Sequence, residues 1–519
     1  MRTIDAAPWA PRLHAYRARR VLASALLVAT TGVAAPALAH VAVAGATTGG
    51  ISLVWEQALG SDGVDAATGV DIGPNGDVYV VGLVDRPPST ESNPRPTGEV
   101  VLRKYSASGD EVWSQRFGQS RVDFVGPKVT VGADGSVYVT GGTAGDLAST
   151  NAGDDGTLDV FVRKFDPAGE TIWTRQFGTP DDDTGVGVAV DDTGDVLVAS
   201  YTFGASGTGL PSSVSSTLRR FSAGGEERWK RDFGAESWDN ALDLALGADG
   251  SAYLTGFSWT LQSTTGMFLR RFTPDGDEAW TQRFGTIAGG VANTLAVAPD
   301  GTVYVAGGTY GNLTGTNAGP DGTTDAFVRA FSSDGVTAWT RQFGTEYHDD
   351  AFGVAAGTNG VVVVGKTSGD LAADGSGDDD AFVRRYTPVG DVLGTEQFGN
   401  SDPDIAMAAA LAGDAIFVVG QSGYVPGNAV ENIGGEAFVR AYGEGAVTPT
   451  SSSTSSSAPG STPSSTAAPA PSTSPAASEP TGDSSGATVW IVIAAVGALA
   501  LCVTTWTMFR RRKHRTAES

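Results

Sequence analysis

The segment DAFVRAFSSDGVTAWTRQFGT, residues 325–345, returns as DVFVRKFDPAGETIWTRQFGT at residues 159–179. Weaker copies run along much of the chain. A unit of this size cannot bury its own apolar residues. It has to stack on neighbours of the same kind, so internal repetition limits the fold more tightly than composition does. Three motifs recur. FVRxF and its variants place an arginine at Arg103, Arg163, Arg219, Arg270, Arg329, Arg384 and Arg440. VYVxG variants end at Gly82, Gly141, Ser200, Gly256, Gly307, Gly365 and Gly420. Trp-x-x-x-Phe-Gly starts at Trp113, Trp173, Trp229, Trp280 and Trp339; its first copy is Trp55 to Gly60, and its last, at Gly394, lacks the tryptophan.

From Leu59 to Phe398 the repeats are 58, 60, 56, 51, 59 and 55 residues apart. Each repeat carries four short β-type runs. In one unit they are 172–177, 185–190, 196–200 and 217–221. Asn75-Gly76, Asp134-Gly135, Asp249-Gly250, Asp300-Gly301 and Asn359-Gly360 predict tight hairpins of the type that needs positive φ at both turn residues. Five of six junctions between repeats keep a glycine four residues, and a tryptophan eight residues, after the aromatic of the FVRxF motif, as in Phe331, Gly335 and Trp339. VYVTG and FVRKF are apolar on both faces, as in strands covered on both sides. The expected fold is all-β: a seven-bladed β-propeller of four-stranded blades. Its first strand (Val54–Leu59) is expected to pair with its last (Phe438–Tyr442), leaving no open edge.

These paired motifs resemble the SBBP β-propeller repeats of bacterial surface and secreted proteins, over about residues 51–442. The resemblance implies the propeller; it carries no single activity that transfers to particular residues. The last unit departs from the pattern at Gly394 and at the weak turn Gly413-Asp414.

Outside the repeats the chain changes character. Arg17, Arg19 and Arg20 precede an apolar run that ends in Ala37-Leu38-Ala39, so residues 1–39 read as a secretory signal and 40–50 as a short linker. Arg19-Arg20 leaves the export route open between the general and twin-arginine systems. Residues 443–487 are rich in Ser, Thr, Pro and Ala and read as a disordered stalk. Residues 489–509 lack charge and are long enough for one membrane helix. Residues 510–519 form a basic tail, which the positive-inside rule places in the cytoplasm. The expectation is a single-pass membrane anchor with the propeller outside the cell. With both ends removed, 24 basic residues face 56 acidic ones, a net charge of −32. Such a surface disfavours nucleic acid. The single cysteine, Cys502, lies in the proposed membrane segment, so no disulfide is expected outside it.

Groups suited to catalysis are few. His348, in TEYHDDAF, is the one histidine between residues 51 and 442, which leaves little for a triad or a histidine-based metal site, and it reads as a solvated loop residue. No catalytic or cofactor-binding residue is assigned. An aspartate recurs six residues after the Phe or Leu of the Trp motif: Asp65, Asp123, Asp183, Asp239, Asp349 and Asp404, with Gly290 as the exception. In a loop such a carboxylate accepts backbone N–H bonds. The sharper alternative is a ring of carboxylates holding a cation such as Ca²⁺. The repeated arginines are expected to be partly buried against carbonyls or carboxylates. The functional expectation is a non-enzymatic binding or adhesion module whose long, acidic loops engage an extracellular protein or glycan. The alternative is an extracellular enzyme, a quinoprotein-like dehydrogenase or a polysaccharide-acting propeller.

Overall fold

The computed structural model describes residues 50–444 apart from 61–63, 88–96, 122–125, 154–155, 206–210, 235–237, 261–262, 316, 321, 373–378 and 424–434. The chain divides into Met1–Val41 and Ala42–Ser519, and every described residue belongs to the second unit. The expected signal, membrane segment and tail lie outside the described residues, as do Asp123 and the expected stalk from residue 445 on; Gly443 and Glu444 belong to the last strand. No helix among the described residues is long and apolar enough to cross a membrane.

All 28 elements among the described residues are strands. After β1 (Ile51–Ala58) the chain builds six sheets of four consecutive strands. Blade 1 is β2–β5 (Val64–Ile72, Val78–Arg86, Gly98–Tyr105, Glu111–Ser120), and blade 2 is β6–β9 (Lys128–Val131, Val137–Thr143, Asp159–Phe165, Thr171–Phe177). Blade 3 is β10–β13 (Asp182–Val190, Val196–Ala205, Pro211–Phe221, Glu227–Phe233), and blade 4 is β14–β17 (Asp239–Leu246, Ala252–Thr260, Ser263–Phe272, Glu278–Phe284). Blade 5 is β18–β21 (Gly290–Val297, Val303–Thr309, Asp325–Phe331, Thr337–Phe343), and blade 6 is β22–β25 (Asp349–Gly357, Gly360–Thr367, Asp380–Tyr386, Val392–Phe398). The seventh sheet takes β26 (Asp404–Ala412), β27 (Ala415–Ser422) and β28 (Glu436–Glu444) from the end of the chain and β1 from its start.

The first strand of each sheet contacts the first strands of the sheets on either side, β26 meeting β2, so these seven strands form the inner ring. The Trp-motif strand is the outer one. A structural blade therefore straddles two sequence repeats, and the middle strands of the 172–221 unit are longer than the motifs suggested. The VYV tyrosines and FVR aromatics fill the gaps between sheets; Tyr79, Tyr138, Tyr304, Phe161 and Phe327 are all fully buried. Six inner strands carry a register shift near their middle, as between Ala292 and Thr294. The extra residue at such a shift is freed from the ladder. One of them, Asn293, donates from Nδ2 to the carbonyl of Ala351 on the next inner strand, 2.9 Å away.

The turns between first and second strands correct one expectation. Gly76, Gly135, Gly250 and Gly301 have φ of 77–84°, but Asn75, Asp134, Asp249 and Asp300 do not have positive φ. Gly73 N donates to Asp77 O and Gly76 N to Gly73 O. This is a turn closed by one left-handed glycine, not a turn with two left-handed residues.

The Trp–Gly spacing is explained at the seams between blades. The indole of each outer strand lies on the turn glycine of the next blade: Trp55 on Gly109, Trp113 on Gly169, Trp173 on Gly225, Trp229 on Gly276, Trp280 on Gly335 and Trp339 on Gly390. Four of these indoles also donate to a carbonyl of that turn: Trp55 to Ala107, Trp113 to Pro167, Trp173 to Ala223 and Trp339 to Pro388. Gly394, where the tryptophan is missing, faces the seventh blade. There the corresponding pair is β28 and β1, which no turn connects. The indole is absent where there is no turn glycine to cover.

Candidate functional site on the long-loop face

Antiparallel order puts two loop sets on each face of the ring. Loops joining first to second and third to fourth strands are the short glycine turns. Loops joining second to third strands, and each outer strand to the next inner one, share the other face; the long ones are second-to-third loops, such as 144–158 and 310–324, whereas in blade 4 Thr260 and Ser263 already belong to paired strands. Length variation on a rigid scaffold makes the long-loop face the natural place for recognition.

The repeated aspartates stand at the inner edge of this face, as the first or second residue of an inner strand and not in a loop. The five described ones are buried. Asp65 Oδ1 accepts from Asp85 N at 2.9 Å. Asp183 Oδ2 accepts from Thr179 N and Oγ1, and Asp349 Oδ2 from Thr345 N and Oγ1, at 2.6–3.0 Å. Asp404 Oδ2 accepts from Asn400 N at 2.8 Å. Asp239 is held by Arg270 and Arg283 at 2.7 and 2.9 Å. Burial pushes the carboxyls of Asp183, Asp349 and Asp404 above their ordinary value, and a second aspartate (Asp159, Asp325 or Asp380) adds to the shift. Among the described residues no three His, Cys, Asp or Glu side chains converge as metal ligands.

The arginine series lies between blades. Each guanidinium from Arg163 onward sits over the phenylalanine of the preceding outer strand, with centroid distances from 3.9 Å (Arg440 over Phe398) to 4.9 Å (Arg329 over Phe284). Its polar partner depends on the blade. Arg103, Arg219, Arg270 and Arg440 pair with Glu111, Glu227, Glu278 and Glu56. Arg163, Arg329 and Arg384 instead donate to the hydroxyls of Thr174, Thr340 and Thr395 at 2.7–2.9 Å. Burial lowers the pKa of Arg163 and Arg329.

The same division governs the loops. Blades 2, 5 and 6 carry a glutamine three positions after the tryptophan site (Gln176, Gln342, Gln397) and an aspartate four before the arginine (Asp159, Asp325, Asp380). Each glutamine donates from Nε2 to that aspartate at 2.9–3.1 Å. Its Oε1 accepts successive loop N–H groups: Leu147 and Ala148, Leu313 and Thr314, or Leu371 and Ala372. Asn151 and Asn317 then bridge their loops from Nδ2 to two carbonyls each, at 3.1–3.2 Å. In blades 1, 3 and 4 the glutamine position holds Arg116, Asp232 and Arg283, and among the described residues no such clasp forms. The glutamines escaped the sequence reading. The signal was their co-occurrence with the distant aspartate.

His348 is exposed but tied. Thr324 N donates to its Nδ1 at 3.3 Å, and Ser368 N donates to its carbonyl at 2.9 Å. In the matching place between blades 2 and 3, Leu158 N donates to Asp182 Oδ1. Beside His348, Asp350 is raised by burial, while Lys366 and Asp379 form an ion pair at 2.8 Å.

Residues 172–206 match the family model of the SBBP beta-propeller repeat. The regulatory protein FlaEY of Caulobacter vibrioides is 29% identical over 291 residues, 52% of this chain and 26% of that protein, so the match spans about a quarter of the relative's length. A puromycin hydrolase mutant complexed with PGG is similar in structure at 17% identity and a TM-score of 0.42, covering 69% of this chain and 50% of that one. The WD40 propeller domain of Doa1 is similar at 12% identity and a TM-score of 0.43, covering 77% and 98%. Residues 172–206 thus carry an SBBP-type β-propeller repeat, within an arrangement of seven four-stranded blades.

Proposed function

We propose that this propeller is a non-enzymatic binding module, closed by its terminal strands and held at the cell surface by the segments that follow it. The observation that carries this reading is the pairing of Ile51 with Glu444. β28 runs toward the short-turn face and β1 starts there, so both ends of the propeller leave from the face opposite the long loops. A stalk and membrane segment beyond Glu444 then turn the long-loop face away from the membrane. The clasped loops of blades 2, 5 and 6 form its ligand-facing surface, and the acidity of the exported part favours basic or hydroxyl-rich partners over nucleic acid.

Two measurements test this. In a Cys502→Ala background, Ser149→Cys on the long-loop face and Ser108→Cys on the short-turn face are labelled on intact cells with a membrane-impermeant maleimide; stronger labelling at 149 is expected. Full-length chain carrying Gln176→Ala, Gln342→Ala and Gln397→Ala is compared with wild type for binding to isolated cell-surface material, and loss of binding is expected. Preferential labelling at 108, or binding impaired by short-turn substitutions and not by the glutamine variant, would overturn the reading.

A further inference from the structure

In a ring of repeats, residues that break the repeat between two otherwise matched units are the informative ones. Blades 2 and 5 are the best matched pair: both read WTRQFGT on the outer strand, and both carry an NAG-type clasped loop. They diverge immediately afterwards. Pro180-Asp181-Asp182 after blade 2 becomes Glu346-Tyr347-His348 after blade 5. The second junction is also the one flanked by two clasped loops, since blades 5 and 6 are neighbours.

The structure holds this tripeptide in place from every side. Asp349 fixes Thr345 through N and Oγ1, and Thr345 Oγ1 in turn accepts from Tyr347 N at 3.3 Å. The blade 5 loop closes on Glu346: a Cβ at Gly319 would lie 2.8 Å from its carbonyl oxygen. The blade 6 loop lies against Tyr347: a Cβ at Gly369 would lie 3.1 Å from its ring. Tyr347 is nevertheless 52% exposed. His348 Nδ1 accepts a hydrogen bond from the backbone N–H of Thr324, which can only donate, so the neutral ring carries its own proton on Nε2.

We propose that Glu346, Tyr347 and His348 form a carbohydrate-binding subsite. It would take a pyranose residue against the exposed tyrosine ring, with the Glu346 carboxylate accepting from a sugar hydroxyl and His348 Nε2–H donating to another. This rests on the reading of the long-loop face as the binding face. An aromatic body fixed by backbone and flanked by one acceptor and one donor suits a ring that is apolar on its face and hydroxylated at its rim. A protein partner would need more apolar anchors than the described residues of this face offer. The other large exposed apolar side chains, such as Val54, Val112, Ile172, Val336, Val389 and Leu393, lie on outer strands or short turns; among the described residues Ile287 is the one other on a long-face loop.

The test is affinity electrophoresis of the full-length chain through gels containing soluble mannan, galactan, xylan or solubilised peptidoglycan. At least one should retard the wild type. Tyr347→Ala should weaken retardation at least tenfold, Tyr347→Phe should keep it, His348→Ala should reduce it about threefold, and Asp181→Ala at the matching blade 2 junction should leave it unchanged. If a polysaccharide retards wild type and Tyr347→Ala equally while the triple glutamine variant is not retarded, the subsite is wrong and the binding-face reading stands. If no polysaccharide retards wild type, the carbohydrate assignment falls, and binding to cell-surface material alone decides the broader reading.

Discussion

The indole of Trp339 lies on Gly390. A Cβ on that glycine would sit 2.8 Å from ring atom Cδ2, and Nε1 donates to the Pro388 carbonyl at 2.9 Å. Gly390 also has a φ of 86°. One residue thus serves as turn former and as the floor of an inter-blade contact.

Gly390→Ala should therefore cost more than a left-handed turn alone explains. An expected loss is about 2–3 kcal/mol, against about 1 kcal/mol for Gly76→Ala. Gly76 has a φ of 81° but nothing within 4 Å of the added carbon. Guanidinium unfolding of both variants checks this; equal losses would remove the indole contact from the account.

Gly394→Trp should leave stability unchanged, because blade 7 offers no turn for the indole to cover. Trp339→Ala should lose about 2–4 kcal/mol, as for a large aromatic at a packed seam. Thermal melts of the two variants are the measurement, and a clear gain from Gly394→Trp would refute the explanation for its absence.

Arg270→Ala and Arg329→Ala should differ. Arg270 bridges Asp239 and Glu278 at 2.7 and 2.6 Å, and its loss should cost about 3–5 kcal/mol. Arg329 has the Thr340 hydroxyl at 2.7 Å and the Phe284 ring at 4.9 Å, and its loss should cost about 1–2 kcal/mol. Equal costs, measured by urea unfolding, would mean the carboxylates add nothing.

Acid should not weaken the propeller at first. Burial raises Asp183, Asp349 and Asp404 above 3.8, so the folded chain binds their protons more tightly than the unfolded chain does. Their contribution is greatest below 3.8 and declines as pH rises through the elevated values. Asp134 and Asp249 are lowered and act in the opposite sense, favouring the fold above 3.8 and ceasing to do so as pH falls through their depressed values. The melting temperature should thus hold or rise from about pH 7 to about pH 5 before falling in stronger acid. A steady decline from neutrality, followed by circular dichroism, would contradict this.

Much of the architecture was legible because the period, the glycine turns and the twice-buried strands repeat often enough to be counted. What was not legible followed from pairing between distant residues. The aspartates were expected in a loop; they fall inside the inner strands, and Asp183, Asp349 and Asp404 reach back from there to cap the residue four positions earlier. Arg329 was expected to meet a carbonyl or carboxylate, and Thr340 meets it instead; the glutamate that the other arginines use stands two residues before the tryptophan, or one after it at Glu56, and blade 5 has none at either place. The Gln342–Asp325 clasp joins residues 17 apart that no local pattern connects. The departure from the pattern at Gly394 marks the seam that no turn bridges.

β28 is flanked on both sides, by β27 and by β1. A load drawn along the chain beyond Glu444, against a grip on the opposite face, would act along the length of β28. It would not peel away an edge strand. The two ladders, running from Ile51↔Glu444 to Ala58↔Phe438 on one side and from Ile416↔Tyr442 to Ser422↔Glu436 on the other, would share the force in parallel shear, and their hydrogen bonds would have to yield together.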